Sequence, residues 1–201
     1  MLDTARSPVL AETIWEADGA QLMVKRALLV MLGVAALALA AKIQVPVWPS
    51  PVPVTLTTFA VLSIGAAYGP KLGLATILAY LGLGALGWDV FAGSSAEASG
   101  LAYMAGSTGG YLAGYVLATL ALGQAARRGW DRSVLGTAGA FALGTALIYL
   151  PGVLWLGVLY GFDAPIFAWG VTPFLIGDAL KAGLAALVLP GLWALVGRAR
   201  T

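Results

Sequence analysis

Of the 201 residues, 60% are hydrophobic and 10% charged, with a mean hydropathy of +0.91, whereas an ordinary soluble domain carries about 25% charged residues. A chain this small cannot hide so much apolar surface by folding on itself, so lipid has to be part of its solvent. A net charge of +2 is too small for a nucleic-acid binder, and the absence of Cys and His excludes disulfides, thiolate and imidazole catalysis and the usual zinc, copper and haem sites.

A helix that crosses a bilayer needs about 20 mostly apolar residues. By that measure the sequence predicts an all-α integral membrane protein with six transmembrane helices in one domain, residues 25–197, flanked by tails at 1–24 and 198–201. The first tail is acidic, with Asp3, Glu12, Glu16 and Asp18, and has room for one short surface helix. The first span covers 25–42, and the Pro-rich stretch at 45–53 that follows cannot be helical. Spans two and three, 54–68 and 71–87, are separated by Gly69-Pro70, and a Gly- and Ser-rich connection follows at 88–107. The fourth span is 108–126, the fifth 134–160 with Pro151 inside it, and the sixth starts near Trp169 and runs to 196.

Charge placement orients these spans. With six crossings, one face collects Arg6, Lys25, Arg26, Lys71, Arg127, Arg128, Arg132, Arg198 and Arg200, which is 9 of the 11 basic residues. The positive-inside rule then places both termini in the cytoplasm. A signal-peptide reading of the first span, with Ala38-Leu39-Ala40 as its cleavage site, is set aside because removing that span scatters the bias.

Most motif matches carry no chemistry. Gly82-Leu83-Gly84-Ala85-Leu86-Gly87 fits the dinucleotide pattern but ends a span instead of joining a strand to a helix, so close packing and helix termination explain it. No lysine precedes Ser or Thr, so there is no P-loop, and without His there is no serine-protease triad. Gly65 with Gly69, Gly110 with Gly114, and Gly157 with Gly161 read as helix-packing pairs, and Ala36 with Ala40 as a weaker one.

Asp178 and Lys181 stand apart. At i and i+3 they share one face of the sixth span. Counted from Trp169, Asp178 lies about 13 Å into the helix. A charge near mid-bilayer costs about 2.5–3.5 kcal/mol even on the lenient scale, and intramembrane ionisable residues mark ligand or ion pathways by default. A structural ion pair and a proton relay are the alternatives. The aromatic outer loops around Trp48 and 88–107 favour a polar ligand site, because together they can cover an outward-opening cavity.

Five stretches in order carry a family likeness: Val52-Pro53-Val54-Thr55-Leu56-Thr57-Thr58-Phe59, Tyr68-Gly69-Pro70-Lys71-Leu72-Gly73, Val90-Phe91-Ala92-Gly93, Gly106-Ser107-Thr108-Gly109-Gly110-Tyr111-Leu112-Ala113-Gly114-Tyr115, and Pro173-Phe174-Leu175-Ile176-Gly177-Asp178-Ala179-Leu180-Lys181. Over about residues 25–195 the chain resembles the BioY family, the biotin-specific substrate-binding (S) components of energy-coupling-factor (ECF) vitamin transporters. It departs from the family pattern at Thr57, where relatives carry Gln, at Ser107, where they carry Pro, and in the outer loop, which has Glu97 and no Asn.

The resemblance implies an ECF S-component-like bundle in the cell membrane that captures biotin from the outer side for uptake. It is not an enzyme and has no cofactor, biotin being the transported ligand. Its implied partners are membrane lipid, a transmembrane coupling (T) protein and ATP-binding-cassette ATPases, and no nucleic acid. Asp178 suits a ureido N–H, and Lys181 a carbonyl or carboxylate; Phe91, Tyr103 and Tyr111 suit the fused ring, with the tyrosine hydroxyls offering a further bond. Thr57 joins the same site at its position in the Pro-Val-Pro stretch, and Ser107 and Thr108 at the start of the fourth helix suit the carboxylate. Ala36 and Ala40 match the family's small-residue contact with the coupling protein. Three rivals remain: a carrier for another small metabolite, an intramembrane enzyme using Lys181 as base, and a scaffold subunit.

Overall fold

The computed structural model describes residues 7–14, 17–94 and 98–199. The expectations placed on Asp3, Arg6, Glu16, Glu97 and Arg200 lie outside the described residues. In chain order the elements are α1 (Leu10–Ile14), α2 (Gly19–Lys42), β1 (Gln44–Val45), β2 (Val54–Thr55), α3 (Thr57–Ala85), α4 (Gly100–Met104), α5 (Gly109–Arg127), α6 (Val134–Tyr160), α7 (Ile166–Gly170) and α8 (Leu175–Ala199). Single 3-10 turns at Trp130–Arg132 and Thr172–Phe174 precede α6 and α8. Among the described residues four stretches are long and apolar enough to cross a membrane: Gly19–Lys42, Thr57–Ala85, Val134–Tyr160 and Ile166–Gly197.

The 29 residues of α3 would span about 44 Å if straight. They do not run straight. Gly69 adopts φ +74°, ψ 179°, a conformation essentially reserved for glycine, and Pro70 follows it. The chain reverses there, and its two arms lie side by side: a Cβ added to Gly73 would come within 3.5 Å of the Gly65 Cα. The break falls where the sequence places it.

The central helix is α5, packed against α3 on one side and α6 on the other. Glycines set the approach: a Cβ on Gly114 would meet the Ile148 Cα at 2.6 Å, and one on Gly123 would meet the Pro70 Cα at 2.6 Å. With lipid on the far side, such close backbone contact supplies the dispersion energy that water-driven burial does not. The outward faces of α2, α6 and α8 are lined with exposed Leu, among them Leu39, Leu135 and Leu187. Gly157 differs from the other packing pairs, because the space above it is taken by the Phe162 ring and not by a neighbouring helix.

The connections form two distinct ends. At one, β1 and β2 pair antiparallel, Gln44 opposite Thr55. The Ser50 hydroxyl donates to the Trp169 carbonyl (2.8 Å), and Ser107 donates to the Pro51 carbonyl (3.0 Å). Trp155 Nε1 donates to the Gly106 carbonyl (2.9 Å). These bonds knit three separate connections into a cap. At the opposite end α1 packs Val9 onto Gly69, and Arg127 pairs with Glu12. There Trp193 Nε1 donates to Asp131 (2.6 Å), and the Arg132 guanidinium sits 4.4 Å from the Trp193 ring centre.

Three predicted starts move. The helix expected to begin at Lys25 begins at Gly19. The span expected from residue 54 begins at Thr57, because Val54–Thr55 pairs as β2 in a chain expected to be all-α. The span expected to start near Trp169 is interrupted at Val171, and α8 begins only at Leu175. Pro173 accounts for this last shift: it has no N–H to donate to the Trp169 carbonyl, which accepts from Ser50 instead. Residues 166–174 therefore serve the cap.

Candidate ligand-binding site

The shift at α8 changes the position of the charged pair. Asp178 lies in the first turn of α8, about 4.5 Å below Leu175. It sits directly beneath the cap and not near the middle of a continuous helix. Lys181 Nζ donates to Asp178 Oδ1 (2.8 Å) and to Thr58 Oγ1 (2.8 Å), and Thr58 donates in turn to Asp178 Oδ1 (3.3 Å). The Tyr149 hydroxyl donates to Asp178 Oδ2. Both carboxylate oxygens are therefore engaged, by groups from α3, α6 and α8. Asp178 is 9% exposed and its three partners are half-buried, so the pair is neutral overall and hydrogen-bonded, which is what a low-dielectric setting demands of a charge pair.

A small chamber of about 40 Å³ lies between this cluster and the cap, and Thr57, Phe91, Tyr103, Thr108, Tyr111 and Lys181 all reach its wall. Six of the eight sequence-predicted ligand contacts thus come together. Asp178 is joined to them through Lys181 and Thr58. Ser107 is spent on the cap, through its bond to Pro51.

Aromatic rings dominate the wall. Phe91 stacks on Tyr103 (centroids 4.9 Å apart, planes at 19°) and meets Tyr80 edge-on (5.3 Å, 84°). Gly84, from the dismissed glycine motif, is where the Phe91 ring rests; any side chain there would overlap it. Three tyrosine hydroxyls are engaged with loop backbone. Tyr103 donates to the Ala92 carbonyl (2.5 Å), Tyr80 to that of Val90 (3.0 Å) and Tyr111 to that of Gly170 (2.8 Å). The rings form the wall, while the hydroxyls hold loop backbone that has no helical partner.

The loop carrying Phe91 is also held from α2. Lys42 Nζ donates to Asp89 Oδ1 (2.6 Å) and to the Phe91 carbonyl (3.0 Å). The Lys42 ammonium and the Ser94 hydroxyl hold the Asp89 carboxyl below its usual range. On the same helix Ala36 is exposed and Ala40 buried, so only one of the two alanines faces outward.

Sequence reasoning missed Thr58, Tyr149 and Tyr115. Thr58 sits inside a quoted motif, and Tyr149 is a lone hydroxyl in an otherwise apolar run, so both had a local signal. Tyr115 also lines the chamber, and its ring is 7% exposed.

Comparison with known proteins agrees with this architecture. The sequence profile of the BioY family matches residues 12–198. A protein from Pyrococcus horikoshii described as a probable biotin transporter BioY is 40% identical over 164 residues, covering 82% of this chain and 93% of its own. The biotin transporter BioY of Thermotoga maritima is 33% identical over 138 residues, 69% of this chain and 79% of its own. The fold superposes on the crystal structure of an S-component for biotin from an ECF-type ABC transporter with a TM-score of 0.76, covering 89% of this chain and 95% of that one at 21% identity. By its profile match and its relatives, the chain belongs to the BioY family.

Proposed function

We propose that this chain captures biotin at the outer face of the cell membrane and holds it beneath the cap for uptake. The observation that carries the reading is the neutral Asp178–Lys181–Thr58–Tyr149 cluster, built around the buried Asp178 and facing an aromatic chamber. Biotin presents two ureido N–H donors and a carbonyl, an apolar thioether ring and a carboxylate. Asp178 accepts from the ureido N–H groups and Lys181 donates to the carbonyl. Phe91, Tyr103 and Tyr111 pack on the fused ring, with Thr57 beside them. The carboxylate lies toward Thr108 at the N-terminus of α5, with Ser107 above it in the cap. Names given to relatives, biotin transporters throughout, support the choice of ligand.

The chamber is far smaller than the roughly 300 Å³ at which ligand pockets begin, so biotin enters by parting the cap. In this reading the two arms of α3 each cross the membrane, giving six crossings with both termini cytoplasmic. The reversal at Gly69 and the nine basic residues on one face support that count. The chain has no ATP site of its own, and its energy comes from a coupling protein and ATP-binding-cassette ATPases. The coupling protein meets α2 where Ala36 is exposed, Ala40 being turned inward.

The test is titration of the detergent-purified chain with biotin, by calorimetry backed by a radiolabel filter assay, for wild type, Asp178→Asn and Lys181→Met. Tight wild-type binding lost in both folded variants supports the reading. Binding that survives both keeps the ligand and discards the site. If only thermal stability falls, the pair is a helix lock. Displacement by thiamine or riboflavin but not by biotin makes the chain a carrier for another metabolite.

A further inference from the structure

A cavity of about 680 Å³ lies at the other end of the molecule, among α1, α2 and the second arm of α3. Lys25 and Arg26 of α2, Lys71 at the head of the second arm and Arg127 at the end of α5 line it, with Glu12 of α1 as the one carboxylate. Among the described residues cations outnumber carboxylates on this wall, although Lys25 is buried and acts on Glu12. Arg127 is the cation that Glu12 answers, through both guanidinium nitrogens. The Glu12 carboxyl lies below its usual range because Arg127 and the Val9 amide outweigh the opposing effect of burial. Arg26 and Lys71 are exposed and have no ion-pair partner among the described residues.

The rest of the wall is apolar. Leu29 and Val30 contribute from α2, and Leu72 and Ala75 from α3. Met31 lies at its rim and is 59% exposed, on the side of α2 that faces lipid. A soluble anion has no use for such a surface, and a neutral lipid has no use for the cations. One molecule satisfies both halves: a phosphate headgroup among the basic residues with its acyl chains running out along α2. Basic pockets between membrane helices on the cytoplasmic side hold anionic headgroups on this principle.

We infer that the basic end carries a binding pocket for one anionic phospholipid, its headgroup held by Arg26 and Lys71 and its acyl chains laid against α2. The inference rests on the orientation proposed above only in assigning that lipid to the inner leaflet, and it does not depend on biotin being the ligand of the other end.

Native mass spectrometry of the full chain released from detergent tests it. Phosphatidylglycerol, phosphatidylcholine with the same acyl chains, and free glycerol phosphate are titrated in turn. Wild type should retain phosphatidylglycerol at about one twenty-fifth the concentration needed for phosphatidylcholine, and the double variant Arg26→Gln/Lys71→Gln should lose that preference, each basic residue near the surface being worth about fivefold. Arg128→Gln, at the same end but off the wall, should keep it. Thermal unfolding at the wild-type temperature certifies that the variants are folded. Equal retention of the two lipids overturns the inference, as does a preference that survives the double substitution or disappears equally in Arg128→Gln. Glycerol phosphate binding as well as the lipid would make this a soluble-anion site and overturn the assignment to lipid.

Discussion

The two ends of the molecule solve the problem of chain connection in different ways. At the capped end, hydroxyl and indole groups reach across from distant elements to loop carbonyls: Ser50 to Trp169, Ser107 to Pro51, Tyr111 to Gly170. Each such bond contributes about 0.5–1.5 kcal/mol net. At the basic end Arg127 and Arg132 also donate to loop carbonyls, those of Ser7 and Pro8, beside a glycine-to-backbone contact at Gly123 and Pro70, an ion pair and an indole–carboxylate bond. The donors differ: neutral hydroxyl groups at the cap, guanidinium groups at the basic end. In the proposed function the cap is the end that parts to admit ligand.

Four substitutions break or sharpen that contrast, from the largest effect to the smallest. Lys181→Met should weaken biotin binding about 100-fold, because buried charge-assisted bonds are worth about 1.5–3 kcal/mol each; a filter assay reads this directly. Gly84→Ala should weaken it about tenfold and lower the melting temperature, since the methyl group drives the Phe91 ring off its seat and overpacking costs about 1–3 kcal/mol. Gly123→Ala should carry a similar stability cost at the basic end, against the backbone of Gly69 and Pro70, yet leave biotin affinity unchanged. If Gly123→Ala weakens binding as much as Gly84→Ala does, the two ends are not independent.

The smallest effect concerns pH. The folded-state pKa of Asp89 is depressed by Lys42, so the unfolded chain takes up the proton first as pH falls. The contribution of the Lys42–Asp89 pair is therefore complete above the ordinary value of 3.8 and is lost as pH drops through the lower folded value. Thermal unfolding followed from neutral pH into that range should show a slope that Asp89→Asn flattens. The slope will be shallow, because the pair is exposed.

What could be read ahead of the structure was what is written locally. Gly69-Pro70 announces its own break, Pro151 sits inside a span long enough to absorb it, and an i, i+3 charge pair shares a face in any helix. The start of α8 was misplaced because residues 166–172 are as apolar as a membrane span, and only Pro173 hinted otherwise. The loop-carbonyl acceptors of the tyrosine hydroxyls leave no such local mark. Tyr111 and Gly170 are 59 residues apart, and no spacing rule connects them. Thr58 and Asp178, 120 residues apart, meet only because α3 doubles back and α8 packs beside it.

Lys42 also has a mechanical consequence. It ends α2, a helix that contacts mainly α3 and turns most of its surface outward. The same ammonium grips the Phe91 carbonyl, and Phe91 is stacked on Tyr103. The outer tip of α2 cannot tilt or slide without stretching that grip or dragging the stacked rings with it. A load applied to the exposed flank of α2 is thus delivered, through Lys42 and through the β1–β2 pairing that follows it, to two parts of the chamber wall.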